Sequence, residues 1–321
     1  MSLFFLVSGF VIPSSLKSGN SRLPELRQFV VRRFFRLYPV YWLSIILAVL
    51  IKFWIWNRDV ELARILANVT MLQRFLGYED IEGLYWTLAT ELVFYGLCAA
   101  LFLAGVLNNA RLLIAAALLM AAVYYPDVLL GVPVRHGLLW FMFHTDISAN
   151  LALMFVGALL RKWHDGQPIE GWVKFLLVCL IGVMMYPLTK SVTIVNEAIA
   201  WRFPPGGGRA IGLLIFLNFG LGLRLRHPLL TWLGEASYSI YLFHPVFIYG
   251  VLWIITRRGM ERATGQNLGV YLCLILALTI LWSAITYRWV EKPAIALGKR
   301  LGRPGGELNV PPTSAATVAQ T

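Results

Sequence analysis

From Leu84 to Leu107 the chain reads LYWTLATELVFYGLCAALFLAGVL, and Glu91 is its one strong acid or base. A stretch this long and this apolar has few ways to fold. In hydrocarbon every backbone N–H and C=O must be satisfied within the segment, so it closes as an α-helix long enough to cross a bilayer core of about 30 Å. A carboxylate in such a helix is costly unless it faces a protein interior or a wet cavity, so Glu91 is a functional candidate by default. Trp86, Thr87, Thr90 and Tyr95 lie near it along the helix and give it polar neighbours. The plainer reading is an acid that ties two helices together, and the stretch alone leaves both open.

The pattern repeats. Apolar stretches run at about 1–16, 39–56, 84–107, 111–125, 140–160, 172–189, 210–223, 229–256 and 268–290, nine candidate spans. Two of them, 111–125 and 210–223, are short and need their flanks or a locally thinned bilayer to cross. Only 14% of residues are charged, against roughly 25% in a soluble domain. The fold class expected is all-α, a polytopic transmembrane helical bundle of about nine spans over residues 1–301. The tail 302–321, with Pro304, Gly305, Gly306, Pro311 and Pro312, has little to pack and reads as disordered.

A net charge of +12 raises nucleic acid as a partner, but the basic residues sit mainly at the ends of apolar stretches, where the positive-inside rule puts them. No nucleic-acid role is expected. Lys17, Arg22, Arg27, Arg32, Arg33 and Arg36 face the single acid Glu25 in one segment, which places it in the cytoplasm. Asp59, Glu61, Glu79, Asp80 and Glu82 outnumber three arginines in the next, which suits the outside. The segment with Arg257, Arg258 and Arg262 is a misfit, because alternation puts it outside. Cys98, Cys179 and Cys273 lie scattered in apolar stretches and read as small packing residues. No H-E-x-x-H, C-x-x-C, P-loop or G-x-S-x-G is present, which argues against a metal, nucleotide or serine-hydrolase site.

Four runs stand out together: Phe4-Phe5-Leu6-Val7-Ser8-Gly9-Phe10; Arg33-Phe34-Phe35-Arg36-Leu37-Tyr38-Pro39; Trp86-Thr87-Leu88-Ala89-Thr90-Glu91-Leu92-Val93-Phe94-Tyr95; and Ser237-Tyr238-Ser239-Ile240-Tyr241-Leu242-Phe243-His244. Glu291-Lys292-Pro293 closes the last span. In this order the set resembles the membrane acyltransferase 3 family, polytopic O-acyltransferases that decorate bacterial surface sugars, from Met1 to about Pro293. The family's first helix carries a basic residue and, further along, a catalytic histidine, and it would lie upstream of Phe4. The nine stretches equal the family's spans less one, so a truncated chain with little or no activity alone is the expectation.

The resemblance implies transfer of an acyl group, acetyl above all, from acyl-CoA to a hydroxyl of a carbohydrate or lipid-linked glycan, in the bacterial inner membrane. It implies acyl-CoA as cosubstrate, with no bound cofactor and no metal. Glu91 and His244 are the implied catalytic residues. Arg33, Arg36 and the neighbouring Arg32 are the implied grip on the donor's phosphates, set against positive-inside anchoring and snorkelling. Ser8, Trp86, Tyr238 and Tyr241 are the implied substrate contacts. Pro245 lacks an N–H and frees a carbonyl in the turn before it, so a kink there would open a polar pocket beside His244; the alternative is an interhelical hydrogen bond. His144, Thr145, Asp146, Ser148 and Asn150 form a further polar island, either along the acceptor route or at the interface. A polytopic transporter using Glu91 and His244 as proton relays is the competing reading.

Overall fold

The computed structural model describes residues 2–16, 22–54, 57, 59–130, 145–185, 211–218, 227–257 and 268–302, and every regular element among them is helical. In order these are α1 (Ser2–Val11) with a 3-10 turn at Pro13–Ser15, α2 (Arg22–Trp54), α3 (Leu62–Val69), α4 (Tyr85–Leu103), α5 (Ala110–Leu130), α6 (Thr145–His164), α7 (Gly171–Met185), α8 (Pro228–Glu235) and α9 (Ser237–Arg257). Then α10 (Leu268–Thr286) runs through a π-helical turn, Tyr287–Glu291, into α11 (Lys292–Leu301). A short helical segment at 211–218 lies between α7 and α8.

Three described helices are long and apolar enough to cross a membrane: Arg22–Trp54, Tyr85–Leu103 and Gly269–Leu301. Shorter apolar helices lie at Ser2–Ser15, Ala110–Val123 and Gly171–Met184. The membrane bundle is therefore present, whereas the expected count of nine is not reached by length and composition among the described residues. The tail from 303 and most of the misfit basic segment lie outside the described residues.

One boundary differs instructively. The stretch expected at 39–56 is the second half of α2, whose 33 residues begin at Arg22. The first half carries its arginines among apolar residues, so its mean hydropathy hides it although the helix is continuous. Pro39 sits inside α2 without ending it. Arg22 donates to the Leu103 carbonyl at 2.8 Å, closing one of the free carbonyls at the C-terminal end of α4.

At the centre lies α6. Every residue from 147 to 160 is buried, as expected of a helix that is apolar on all sides. It packs chiefly on α1 and α5, and its Phe155 meets Phe94 of α4 edge to face at 5.3 Å. The crossing with α1 is backbone to backbone: a Cβ on Gly9 would fall 2.0 Å from the Met154 carbonyl oxygen, and one on Gly157 would fall 2.4 Å from that of Leu6. Small residues at such a crossing let two membrane helices touch along their main chains.

Residues 57–83 are closed by Asn68. Its amide donates to the carbonyls of Arg64 and Glu79, its Oδ1 accepts from the Ile81 N–H, and its carbonyl accepts from Tyr41 at 2.7 Å. Three acids of this segment pair with bases: Glu79 with Arg64 at 3.5 Å, Asp80 with Arg74, and Glu82 with Lys52 at 3.8 Å. Burial pushes the Glu82 carboxyl above the ordinary carboxylate range, and the Lys52 ammonium pulls against it.

Two of the three cysteines depart from the packing expectation. Cys98 is buried, but Cys179 and Cys273 are exposed on the surfaces of α7 and α10. On a membrane helix that surface meets lipid tails, so an apolar thiol is at home there too.

Candidate functional site

Thr87, Glu91 and Tyr95 follow one another at four-residue spacing and so share one face of α4. Each meets a different helix. The Thr87 hydroxyl lies 2.6 Å from the Tyr241 hydroxyl of α9. Glu91 Oε1 accepts from the Ser8 hydroxyl of α1 at 3.3 Å and from Tyr95 at 2.6 Å. The Tyr95 ring lies 5.3 Å under the Arg33 guanidinium of α2. Glu91 is buried, and the positive charges of Arg33 and Arg36 both act on it. Two of its sequence neighbours turn elsewhere: Thr90 donates to the Trp86 carbonyl, and Thr87 bonds to Tyr241. The polar company of Glu91 comes largely from other helices.

Arg32, Arg33 and Arg36 converge on a cavity of about 160 Å³, whose wall also includes Ser15, Gln28, Phe29, Ile295 and Lys299. Arg33 stands over the Phe29 ring at 5.6 Å and donates to Ser15 Oγ at 3.4 Å. Three arginines and a lysine around one cavity have the charge and donors to hold an anion with several oxygens. Lys299 belongs to α11, more than 260 positions beyond the arginines, and no local pattern signals that it joins them.

On the other side of Thr87, the Tyr241 ring stacks on Phe4 at 5.9 Å and faces the His244 ring at 5.8 Å. The carbonyl that Pro245 leaves without its helical partner is that of Tyr241, four residues back. His244 Nδ1 lies 2.7 Å from this oxygen. A carbonyl only accepts, so Nδ1 is the donating nitrogen of this pair. The helix α9 runs through Pro245, from Ser237 to Arg257. The freed carbonyl is satisfied by the imidazole itself. Among the described residues no hydrogen bond or ring contact joins His244 to Glu91; the stripe holds them at different levels.

Trp86 is half-buried, tilted against Phe5 at 6.3 Å and covered by the Arg74 guanidinium at 6.0 Å. Asp80 holds that guanidinium, with Nε at 2.7 Å, and also accepts from Gln73 at 2.6 Å. Tyr238 is buried, and its hydroxyl donates to the Leu37 carbonyl of α2 at 3.0 Å. A residue to which the sequence motifs assign no role is Glu291, buried beside Ser239 and bonded to it at 2.6 Å. Of the polar island, Ser148 and Asn150 are buried in α6, while His144 and the side chains of Thr145 and Asp146 lie outside the described residues. His164 and His227 are exposed. Among the described residues no group of histidine, cysteine and carboxylate side chains has the arrangement of a metal site.

A family model described as an acyltransferase domain matches residues 1–288. The "Putative peptidoglycan O-acetyltransferase YrhL" of Bacillus subtilis (strain 168) is 25% identical over an alignment covering 94% of this chain and 51% of that protein. The "Putative acetyltransferase ORF330" of Acidianus two-tailed virus is 23% identical over 82% of this chain and 77% of its own length. The chain thus spans about half the length of the first of these relatives. No solved structure matches it. A match over residues 1–288, nearly the whole helical bundle, leads to one conclusion: the chain belongs to the acyltransferase 3 family.

Proposed function

We propose that this chain is an integral membrane O-acyltransferase, with about nine spans in the bacterial inner membrane, moving an acetyl group from acetyl-CoA to a hydroxyl of a carbohydrate or lipid-linked glycan. One observation carries the reading. The buried stripe of α4 reaches a four-cation cavity through Tyr95 and Arg33, and an aromatic, imidazole-bearing cluster through Thr87 and Tyr241. A two-substrate transfer needs such a path between an anionic donor and a hydroxylic acceptor.

In the reaction, the acceptor oxygen bonds to the acyl carbon, the C–S bond of the thioester breaks, and the hydroxyl proton leaves through a base to the departing thiolate. Arg32, Arg33, Arg36 and Lys299 hold the donor's phosphates. Glu91 balances the nearby guanidiniums and orients the Ser8 and Tyr95 hydroxyls. His244, beside Tyr241, contacts the acceptor or helps its hydroxyl proton to leave, with Tyr241 and Trp86 as the sugar's platform. A transporter would use the same Glu91 and His244, but the family match favours group transfer.

Purified protein in proteoliposomes, supplied with labelled acetyl-CoA and a glycan, should release CoA only when the acceptor is present. Accumulation of a solute by the same vesicles without CoA release would favour the transporter. Arg36→Ala should raise the KM for acetyl-CoA about tenfold or more, since hydrogen bonds to charged groups are worth roughly 1.5–3 kcal/mol. An unchanged donor KM removes Arg36 from the donor site.

Pro245→Ala gives residue 245 an N–H that competes for the Tyr241 carbonyl, so Nδ1 is released. Turnover should fall about tenfold through loss of the imidazole's fixed orientation at the acceptor, while thermal stability holds or rises because a helix-interior proline is gone. Unaltered turnover means that this orientation is not used.

A further inference from the structure

Glu291 is a wholly buried carboxylate with no part in the reaction described so far. Its Oε2 accepts from Ser239 at 2.6 Å, whereas its Oε1 is buried and has no hydrogen-bond partner among the described residues. A half-satisfied buried carboxylate is expensive, and its retention calls for an explanation. Its backbone setting is unusual as well. Glu291 ends the π-helical turn Tyr287–Glu291, and such turns are frequent at functional sites.

Immediately after Glu291 the chain enters the cavity wall. The helix α11 that begins at Lys292 carries Ile295 and Lys299, which face Arg32, Arg33 and Arg36 of α2 across the cavity. The approach of α11 to α2 is close, since a Cβ on Gly298 would lie 2.7 Å from the Phe35 Cβ. The π-turn is braced at its start, where Tyr287 donates to Glu235 at 2.6 Å. At its end the charge of Arg36 acts on Glu291, as it does on Glu91. One guanidinium thus lies within electrostatic reach of two buried carboxylates, one beside the reacting region and the other at the root of α11, with no ion pair to either among the described residues.

We propose that Glu291 is a positioning residue for the cation cavity: held by Ser239 through one oxygen, it pins the π-turn at the root of α11 within reach of the Arg36 charge and so fixes the spacing between the arginines of α2 and Lys299 of α11. The inference rests on the reading of that cavity as the donor site. Glu291 touches neither substrate. It acts through Arg36, and this separates it from a residue that merely holds two helices together.

The test is CoA binding and steady-state kinetics on the full chain in nanodiscs. Glu291→Gln should raise the Kd for CoA and the KM for the acyl donor about tenfold, with kcat and the acceptor KM unchanged. In the Arg36→Ala background the same substitution should add almost nothing, because residues acting as one unit are non-additive. A donor KM equal to wild type overturns the proposal, and so do fully additive effects in the double variant. If Glu291→Gln does not fold, Ser239→Ala keeps the carboxylate and should shift donor KM in the same direction by a smaller factor; no shift overturns the proposal. Wild-type protein that turns over the donor but shows unchanged binding in Glu291→Gln sinks the Glu291 role alone. Wild-type protein with no affinity for CoA sinks the donor reading, and the Glu291 role falls with it.

Discussion

Glu91→Gln should reduce acyl transfer by about a thousandfold, in the range lost when a positioned acid or base is removed, while the protein still inserts and folds. The amide is isosteric, and its carbonyl oxygen can still accept from Ser8 and Tyr95, which donate to Oε1 at 3.3 and 2.6 Å. What disappears is the group that can carry a charge or exchange a proton beside Tyr95 and Arg33. If Glu91 were only a tie between α1 and α4, this variant would keep the tie and keep the activity. Glu91→Ala is the harsher contrast. It strands two buried hydroxyls at roughly 1–3 kcal/mol each and should cost stability as well. Turnover by the Gln variant, measured beside its melting temperature in detergent, separates the two roles. Normal turnover at normal stability returns Glu91 to a structural part.

Gly9→Val should prevent the folded bundle from forming, at a cost of about 4 kcal/mol or more, the range reserved for severe overpacking or strain. The clash partner of a Cβ at Gly9 is the main-chain oxygen of Met154, 2.0 Å away, so no side-chain rotation relieves it. Gly157→Val should act alike, because its Cβ meets the backbone of Leu6 and Phe10. Displacing α1 also removes Ser8 from Glu91 and Phe4 from Tyr241, so any surviving protein should be inactive. Gly96→Ala is the control, since open space surrounds its Cβ position; it should be neutral or stabilising by up to about 1 kcal/mol. Melting temperatures settle the matter, and a Gly9→Val protein as stable as wild type shows that the α1–α6 crossing yields more readily than two touching backbones should.

Much of this architecture could be read from the chain. The apolar stretches that become α4, α9 and α10 are long enough to show by composition, and Glu91 stands out because nothing else strongly ionisable surrounds it. Pro245 announces a freed carbonyl four residues back by simple valence. Other features stayed hidden for physical reasons. The first half of α2 mixes five arginines with apolar side chains, so averaged hydropathy reads a loop where an uninterrupted helix stands. The burial of α6 on all sides is a property of its neighbours, and its own sequence also suits a helix facing lipid. Gly9 meeting Met154, Glu91 meeting Ser8 and Lys299 sharing a cavity with Arg36 are pairings between distant segments that no local periodicity encodes. Glu291 was visible as part of a motif, but its half-satisfied carboxylate shows only once Ser239 lies against it.

The arginine cavity has a consequence set by the leaflet around it. An inner leaflet rich in anionic lipid holds its surface at about −30 mV, and this field thins out any multiply charged anion before it arrives. A donor carrying several phosphates is therefore scarcer at the membrane than in bulk cytoplasm. Three guanidiniums and an ammonium gathered around about 160 Å³ form a local island of opposite potential, effective over a Debye length of roughly 8 Å at physiological salt. On the proposed reading they offset at the doorway the depletion that the lipids impose, so the capture rate depends on lipid composition as well as on donor concentration.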